Sequence, residues 1–254
     1  MKLDGKAAIV TGSATGIGRS TALELARLGC NVVINYTRSE AEAKETVRDV
    51  EAAGAQALLF QGDVSNDEAV RRMVAACEQK FHRLDVLVNA AGTTHFSAPE
   101  DLEAITGEVW HRIFSVNVHG TFLATRAATP LLKKSGEGAV VNLSSIAGLR
   151  PAAQAIPYAA SKAAVANMTV SFARLLAPEV RVNAVAPGWI EGRWMKTALG
   201  EKYDALIERR AQRTPLHRVA TNEDVAQTIL SLITMNDFVT GQIIVIDGGY
   251  SLIA

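Results

Sequence analysis

Seven short apolar stretches, each followed by a helix-forming segment, predict a doubly wound α/β fold: one parallel seven-stranded sheet with helices on both faces. Two further observations support it. A glycine-rich link joins the first stretch directly to its helix, as in Rossmann-type sheets. No low-complexity linker or internal repeat interrupts the alternation, so residues 1–254 read as a single domain.

The first strand is expected over 6–11 (KAAIVT), and an apolar-periodic helix over 17–28. Between them lies Gly12-Ser13-Ala14-Thr15-Gly16-Ile17-Gly18. Glycines let backbone approach a pyrophosphate, and the helix N-terminus offers free N–H groups and a positive dipole. The spacing is GxxxGxG rather than the general GxGxxG. The second strand (30–36, CNVVINY) ends in Tyr36-Thr37-Arg38, with no acid before Glu40. An acid at that place grips the ribose hydroxyls of NAD; without it, and with Arg38 available to pair with a 2′-phosphate, NADP(H) is favoured over NAD(H).

A polar helix (40–53) and a third strand (56–60) lead to Gly62-Asp63-Val64. Asp63 is placed either to accept from an adenine amino group or to cap the helix of 66–81. The fourth strand (84–88) runs into Asn89-Ala90-Ala91-Gly92, at the carboxyl edge where open α/β sheets hold ligands. A long helix is expected over 108–132, with Asn117 inside it. Asparagine is a poor helix former and needs a reason to be there. The fifth strand (AVVNLSS) carries Ser144 and Ser145 at its carboxyl end. The helix that follows contains Tyr158-Ala159-Ala160-Ser161-Lys162, with Tyr158 and Lys162 on one face. A cation there is expected to lower the phenol from its ordinary value near ~10, making Tyr158 a general acid/base. The sixth strand (181–186) stops at Pro187-Gly188, a polar segment of 189–216 suits a substrate lid, a helix begins at Asn222, and the last strand spans 242–246.

Composition narrows the function. The residues are 48% hydrophobic and 20% charged, enough for a sizeable core. Lys+Arg and Asp+Glu, 26 each, cancel, so nothing points to nucleic acid or to a polybasic membrane contact. Cys30 and Cys77 stand alone, and His82, His95, His111, His119 and His217 lack metal-ligand spacing; no metal is expected. The first residues lack a signal-peptide pattern and no apolar run reaches spanning length, so a cytoplasmic location is the expectation.

Taken together, TGSATGIG, GDV, NAAG, VNLSS, YAASK and the closing VTGQIIVIDGG resemble, in order and spacing over essentially the whole chain, the short-chain dehydrogenase/reductase family. The resemblance implies a catalytic set of Asn117, Ser145, Tyr158 and Lys162. Tyr158 would exchange a proton with the substrate oxygen, and Ser145 would hydrogen-bond that oxygen as charge develops. Lys162 would lower the Tyr158 pKa and hold the nicotinamide ribose, and Asn117 would support a proton-relaying water. Gly12, Ser13, Thr15, Gly16, Ile17, Gly18, Tyr36, Thr37, Arg38, Asp63, Val64, Asn89, Ala90, Gly92, Pro187, Gly188 and Ile190 would line the cofactor. It departs from the family at Ala90, where many members carry a second Asn, and at Gly192, where a Thr is common. Gly136 and Glu179 fall where carrier-protein reductases tend to be basic, although Lys133, Lys134 and Arg174 are near.

The wording of the chain is most similar to 3-oxoacyl-[acyl-carrier-protein] reductases, which implies a small-molecule carbonyl or alcohol substrate, acyl carrier protein as a partner, and a homotetramer. Sugar, polyol or hydroxysteroid dehydrogenases are the alternative, with Trp189 and Trp194 suited to a ring. A silent NADPH-binding regulatory protein is the remaining one.

Overall fold

The computed structural model describes residues 1–95, 101–150 and 155–253, apart from the side chains of 193, 194 and 198. Its strands are β1 (Ala7–Thr11), β2 (Asn31–Tyr36), β3 (Ala57–Gln61), β4 (Val86–Asn89), β5 (Gly138–Leu143), β6 (Val180–Pro187) and β7 (Ile243–Ile246). They form one seven-stranded sheet in the order β3-β2-β1-β4-β5-β6-β7, parallel at every pairing. The order reverses between β1 and β4, and the carboxyl ends of those two strands open a crevice there.

Alternation along the strands feeds two apolar layers. Ala8, Val10, Val32 and Ile34 face one side with Leu25 of α1 (Gly16–Arg27). Ala7, Ile9 and Val33 face the other with Met73 of α3 (Asp67–Phe81). Each fully buried Ile or Leu in these layers contributes about 1.5–3 kcal/mol relative to exposure. The remaining helices are α2 (Glu40–Ala52), α4 (Gly107–Phe114), α5 (Gly120–Ser135), α6 (Ile156–Leu176), α7 (Arg193–Leu199), α8 (Tyr203–Arg213), α9 (Asn222–Thr234) and α10 (Tyr250–Ile253). Leu123 and Leu132 of α5 and Phe172 of α6 share the Met73 layer, and Ile229 and Ile233 of α9 share the Leu25 layer.

Two local expectations need correction. The long helix of 108–132 is divided: α4 passes through a π-helical segment, Ser115–His119, before α5. Asn117 sits in that widened turn, which accounts for a poor helix former there. Asp63 does not cap α3. The Asn66 side chain does, accepting from Ala69 N–H at 2.8 Å, whereas Asp63 Oδ1 accepts from Ser65 N–H at 2.8 Å and its hydroxyl at 2.7 Å. No described helix is long and apolar enough to cross a membrane.

Candidate active site

The glycine spacing has a steric cause. Gly12 has φ +63°, and a Cβ there would lie 2.8 Å from Ala91 Cα; one at Gly18 would lie 2.5 Å from the Gly12 carbonyl oxygen. A side chain at Gly12 would push the loop off the end of β4, and one at Gly18 would push α1 off the loop. Thr15, the N-cap of α1, makes no side-chain cap, so the first-turn N–H groups are left for a ligand. Ser13 lies beneath the loop, fully buried. Its Oγ donates to Val10 O at 2.7 Å and accepts from Asn35 N–H at 3.0 Å. The Asn35 carboxamide accepts from Gly12 N–H at 3.1 Å and donates to Gly62 O at 3.0 Å, tying the ends of β1, β2 and β3 together.

From this loop a cavity of ≈ 1590 Å³ follows the carboxyl edge of the sheet. Gly12, Thr15, Gly16, Ile17, Gly18, Tyr36, Thr37, Arg38, Asp63, Val64, Ala90, Gly92, Pro187, Gly188 and Ile190 all line it. Arg38 is exposed and pairs with no acid among the described residues. Ser13 and Asn89 do not reach the cavity, contrary to expectation. Asn89 points inward, where its Nδ2 donates to Asn142 Oδ1 at 2.8 Å and to Thr125 Oγ1 at 3.1 Å.

At the far end, Tyr158 and Lys162 project from one face of α6, with Lys162 Nζ 5.6 Å from the Tyr158 ring centroid. Both serines line the cavity, but their hydroxyls diverge. Ser144 Oγ donates to Lys162 O at 2.9 Å, whereas Ser145 hydrogen-bonds Tyr158 and reaches Pro187 O at 3.4 Å. Buried Lys162 donates to Leu143 O at 2.6 Å. Asn117 stands behind the cavity wall. Its Oδ1 accepts from Thr93 N–H at 2.8 Å while its Nδ2 donates to Thr93 O at 3.0 Å and Ser161 Oγ at 2.9 Å. An added Cβ on Gly92 would sit 3.5 Å from Asn117 Oδ1 and 3.7 Å from Lys162 Nζ, so the NAAG loop, Asn117 and Lys162 meet at that glycine.

This geometry has relatives. A family model described as enoyl-(acyl carrier protein) reductase matches residues 12–251. The "Granaticin polyketide synthase putative ketoacyl reductase 2" of Streptomyces violaceoruber is 44% identical over 246 residues, covering 97% of this chain and 96% of its own. A 3-oxoacyl-[acyl-carrier-protein] reductase of a Synechocystis species is 38% identical over 97% of each chain. The chain belongs to the short-chain dehydrogenase/reductase family. A crystal structure of a gluconate 5-dehydrogenase from Burkholderia cenocepacia J2315, in complex with NADP and tartrate, superposes with a TM-score of 0.90 at 30% identity, over 100% of this chain and 98% of that one. Like other short-chain dehydrogenases/reductases, the protein is a nicotinamide-dependent oxidoreductase acting on a carbonyl or its alcohol.

Within this family member, one electrostatic expectation is reversed. Lys162 does not lower Tyr158 here. Burial pushes the phenol up to about 12, and the Ser145 hydrogen bond recovers only part of that. Burial likewise pushes Lys162 down to about 8. The ammonium is turned to Leu143 O rather than to the phenol, so desolvation decides both values. Tyr158 lines the cavity and is only half-buried, so solvent that reaches its ring weakens this desolvation.

Two further residues shape the site, Asn35 and Arg210. Asn35 is a polar residue inside an apolar strand, a signal of the same kind as Asn117 in its helix. Arg210, in the lid, bears no motif. The Trp194 side chain lies outside the described residues.

Proposed function

We propose that the protein is an NADP(H)-dependent enzyme interconverting a carbonyl and a secondary alcohol, with a 3-oxoacyl thioester as its first candidate substrate. One observation carries this reading: a single cavity joins the glycine loop of α1 to Tyr158 and Ser145, with Lys162 beside them. The nicotinamide, when bound, supplies or accepts the hydride. The clashes that any Cβ would cause at Gly12 and Gly18, and the uncapped start of α1, suit its pyrophosphate.

In this reading Ser145 orients the carbonyl oxygen and stabilises the charge that forms on it. Tyr158, held protonated by its surroundings, gives that oxygen its proton, a downhill step because an alkoxide is more basic than a phenolate. Lys162, close to half-titrated near pH 8, would hold the ribose hydroxyls, and through them would resupply the proton that Tyr158 gives up. Asn117 acts at one remove, fixing the Thr93 backbone and Ser161. The stretch 189–216, which includes α7 and α8, serves as the lid.

Arg38 and the absence of an acid after β2 support NADP(H) over NAD(H). Arg38→Ala should raise the KM for NADPH about tenfold and leave that for NADH within about twofold, since a charge-assisted phosphate contact is worth about 1.5–3 kcal/mol. Equal effects on both cofactors would reduce Arg38 to a surface charge.

The ketoacyl and 3-oxoacyl reductase relatives support the thioester, and with it an acyl carrier protein as partner. Lys133 is 3.5 Å from Glu179, which leaves Lys134 and Arg174 as cations for such a partner. The gluconate 5-dehydrogenase likeness supports the second reading, a sugar or polyol dehydrogenase. A homotetramer is supported by apolar side chains exposed on α5 and α6, among them Phe122, Val170 and Leu175. Sedimentation at micromolar concentration should return four copies, and a pure monomer would remove that proposal.

A further inference from the structure

In the cavity that holds Ser145 and Tyr158, a guanidinium lies over two aromatic rings. The Arg210 Cζ, on α8, lies 4.4 Å from the Trp189 ring centroid and 5.6 Å from that of Tyr250, and Arg210 Nη1 donates to the Tyr250 hydroxyl. All three residues line the cavity. Trp189 stands two positions beyond Pro187, whose carbonyl accepts from Ser145 Oγ. At about 3.8 Å per Cα step, its backbone is within about 8 Å of the residue that Ser145 touches.

The charge at this place is not balanced. No described carboxylate pairs with Arg210, and its Nε is buried with no hydrogen-bond partner. The Tyr250 hydroxyl meets Nη1 and the ring faces stabilise the cation, but no carboxylate balances its charge. The other charged residues lining the cavity beyond its adenosine end are Arg112, Arg150, Lys162 and Glu191, an excess of cations over acids. A planar guanidinium fork matches a carboxylate, and stacking on aromatic faces leaves its charge free to do so. A clamp that merely held α8 against Trp189 and the carboxyl-terminal segment would not need Arg210 on the wall of a cavity already rich in cations.

We propose that Arg210 reads the substrate, and that the substrate carries a carboxylate near the carbon that gains or loses hydride. The enzyme then acts on an oxo or hydroxy acid. The proposal rests on the carbonyl–alcohol reading above and replaces the thioester as its substrate, since a 3-oxoacyl thioester has no free carboxylate.

The test uses the full chain with NADPH and three forms of one acyl group: 3-oxobutanoate, its methyl ester and its N-acetylcysteamine thioester. The wild type should favour the free acid over the methyl ester by about tenfold or more in kcat/KM. Arg210→Met should lose about 30-fold on the acid and about threefold or less on the two neutral forms, with Arg210→Lys recovering part of the loss. The KM for NADPH should stay within about twofold. Equal losses on all three forms would make Arg210 a lid clamp. A parallel rise in the KM for NADPH would assign the guanidinium to the cofactor. A wild type that prefers the thioester would also overturn the proposal, and would leave the thioester reductase reading standing.

Binding supplies a readout that needs no turnover. 3-Oxobutanoate, added with NADP⁺, should quench tryptophan fluorescence in the wild type and not in Arg210→Met. Quenching without reduction of any of the three forms would sink the reductase reading and support the subsite; no quenching and no reduction of the acid overturns the subsite.

Discussion

Tyr158→Phe should lower kcat by about 10³-fold or more while the affinity for NADPH stays within about twofold. A positioned general acid contributes about 10²–10⁴-fold. At this site no other described hydroxyl has both a place on the cavity wall and contact with Ser145. Phenylalanine keeps the ring that lies 5.6 Å from Lys162 Nζ, so the packing of α6 is preserved. The raised phenol value strengthens the expectation for reduction, since Tyr158 is protonated across the whole working range and is available as a donor. Steady-state rates and NADPH fluorescence titration on one preparation check both halves. A variant retaining activity within tenfold would take the proton-donor role away from Tyr158.

Lys162→Met should lower kcat by about 10²-fold or more and also remove a limb from the pH profile. In the folded protein burial brings the ammonium from 10.5 to about 8, so the wild-type reduction rate should fall as pH rises through about 8, where Lys162 gives up its proton. The methionine variant has no such group, and its residual rate should be flat there. Linkage runs the other way for stability. A cation whose folded value is depressed carries its full burial cost below about 8, and that cost fades as pH rises towards 10.5. Methionine removes a cost of a few kcal/mol but leaves Leu143 O without its donor, worth about 1–3 kcal/mol, so the two largely offset. The variant should therefore melt within a few degrees of the wild type at neutral pH. Inactivity together with a collapsed Tm would mean that Lys162 is needed for folding, and its catalytic role would lose this support.

The seven parallel strands and the cavity at their carboxyl edge were legible because each strand is a short apolar run and the loop glycines at 12 and 18 answer a steric demand. Gly12 and Gly18 stand where no Cβ fits, and that demand is written into the spacing. The roles of Ser13 and Asn89 were less legible. Both stand beside the cavity in the chain, but their side chains turn into the body to satisfy buried strand ends, a direction that spacing does not record. The pair Tyr158 and Lys162 was found from a four-residue interval, yet the sign of the Tyr158 shift was not, because an interval carries proximity and omits desolvation. Arg210 was invisible for another reason. Its partners Trp189 and Tyr250 lie far away in the chain and meet it only once the lid is folded over the sheet.

The most direct measurement is isotopic. The enzyme would be incubated with NADPH dideuterated at nicotinamide C4 and with 3-oxobutanoate, both as free acid and as N-acetylcysteamine thioester, and the products analysed by mass spectrometry. The expected result is a 3-hydroxy product with a single deuterium at its carbinol carbon, formed by the wild type and not by Tyr158→Phe. NADPH that binds, as its fluorescence would show, but passes no deuterium to either form or to sugar and steroid ketones would contradict it. The protein would then be a silent cofactor-binding member of its family, with the Tyr158 site intact and unused.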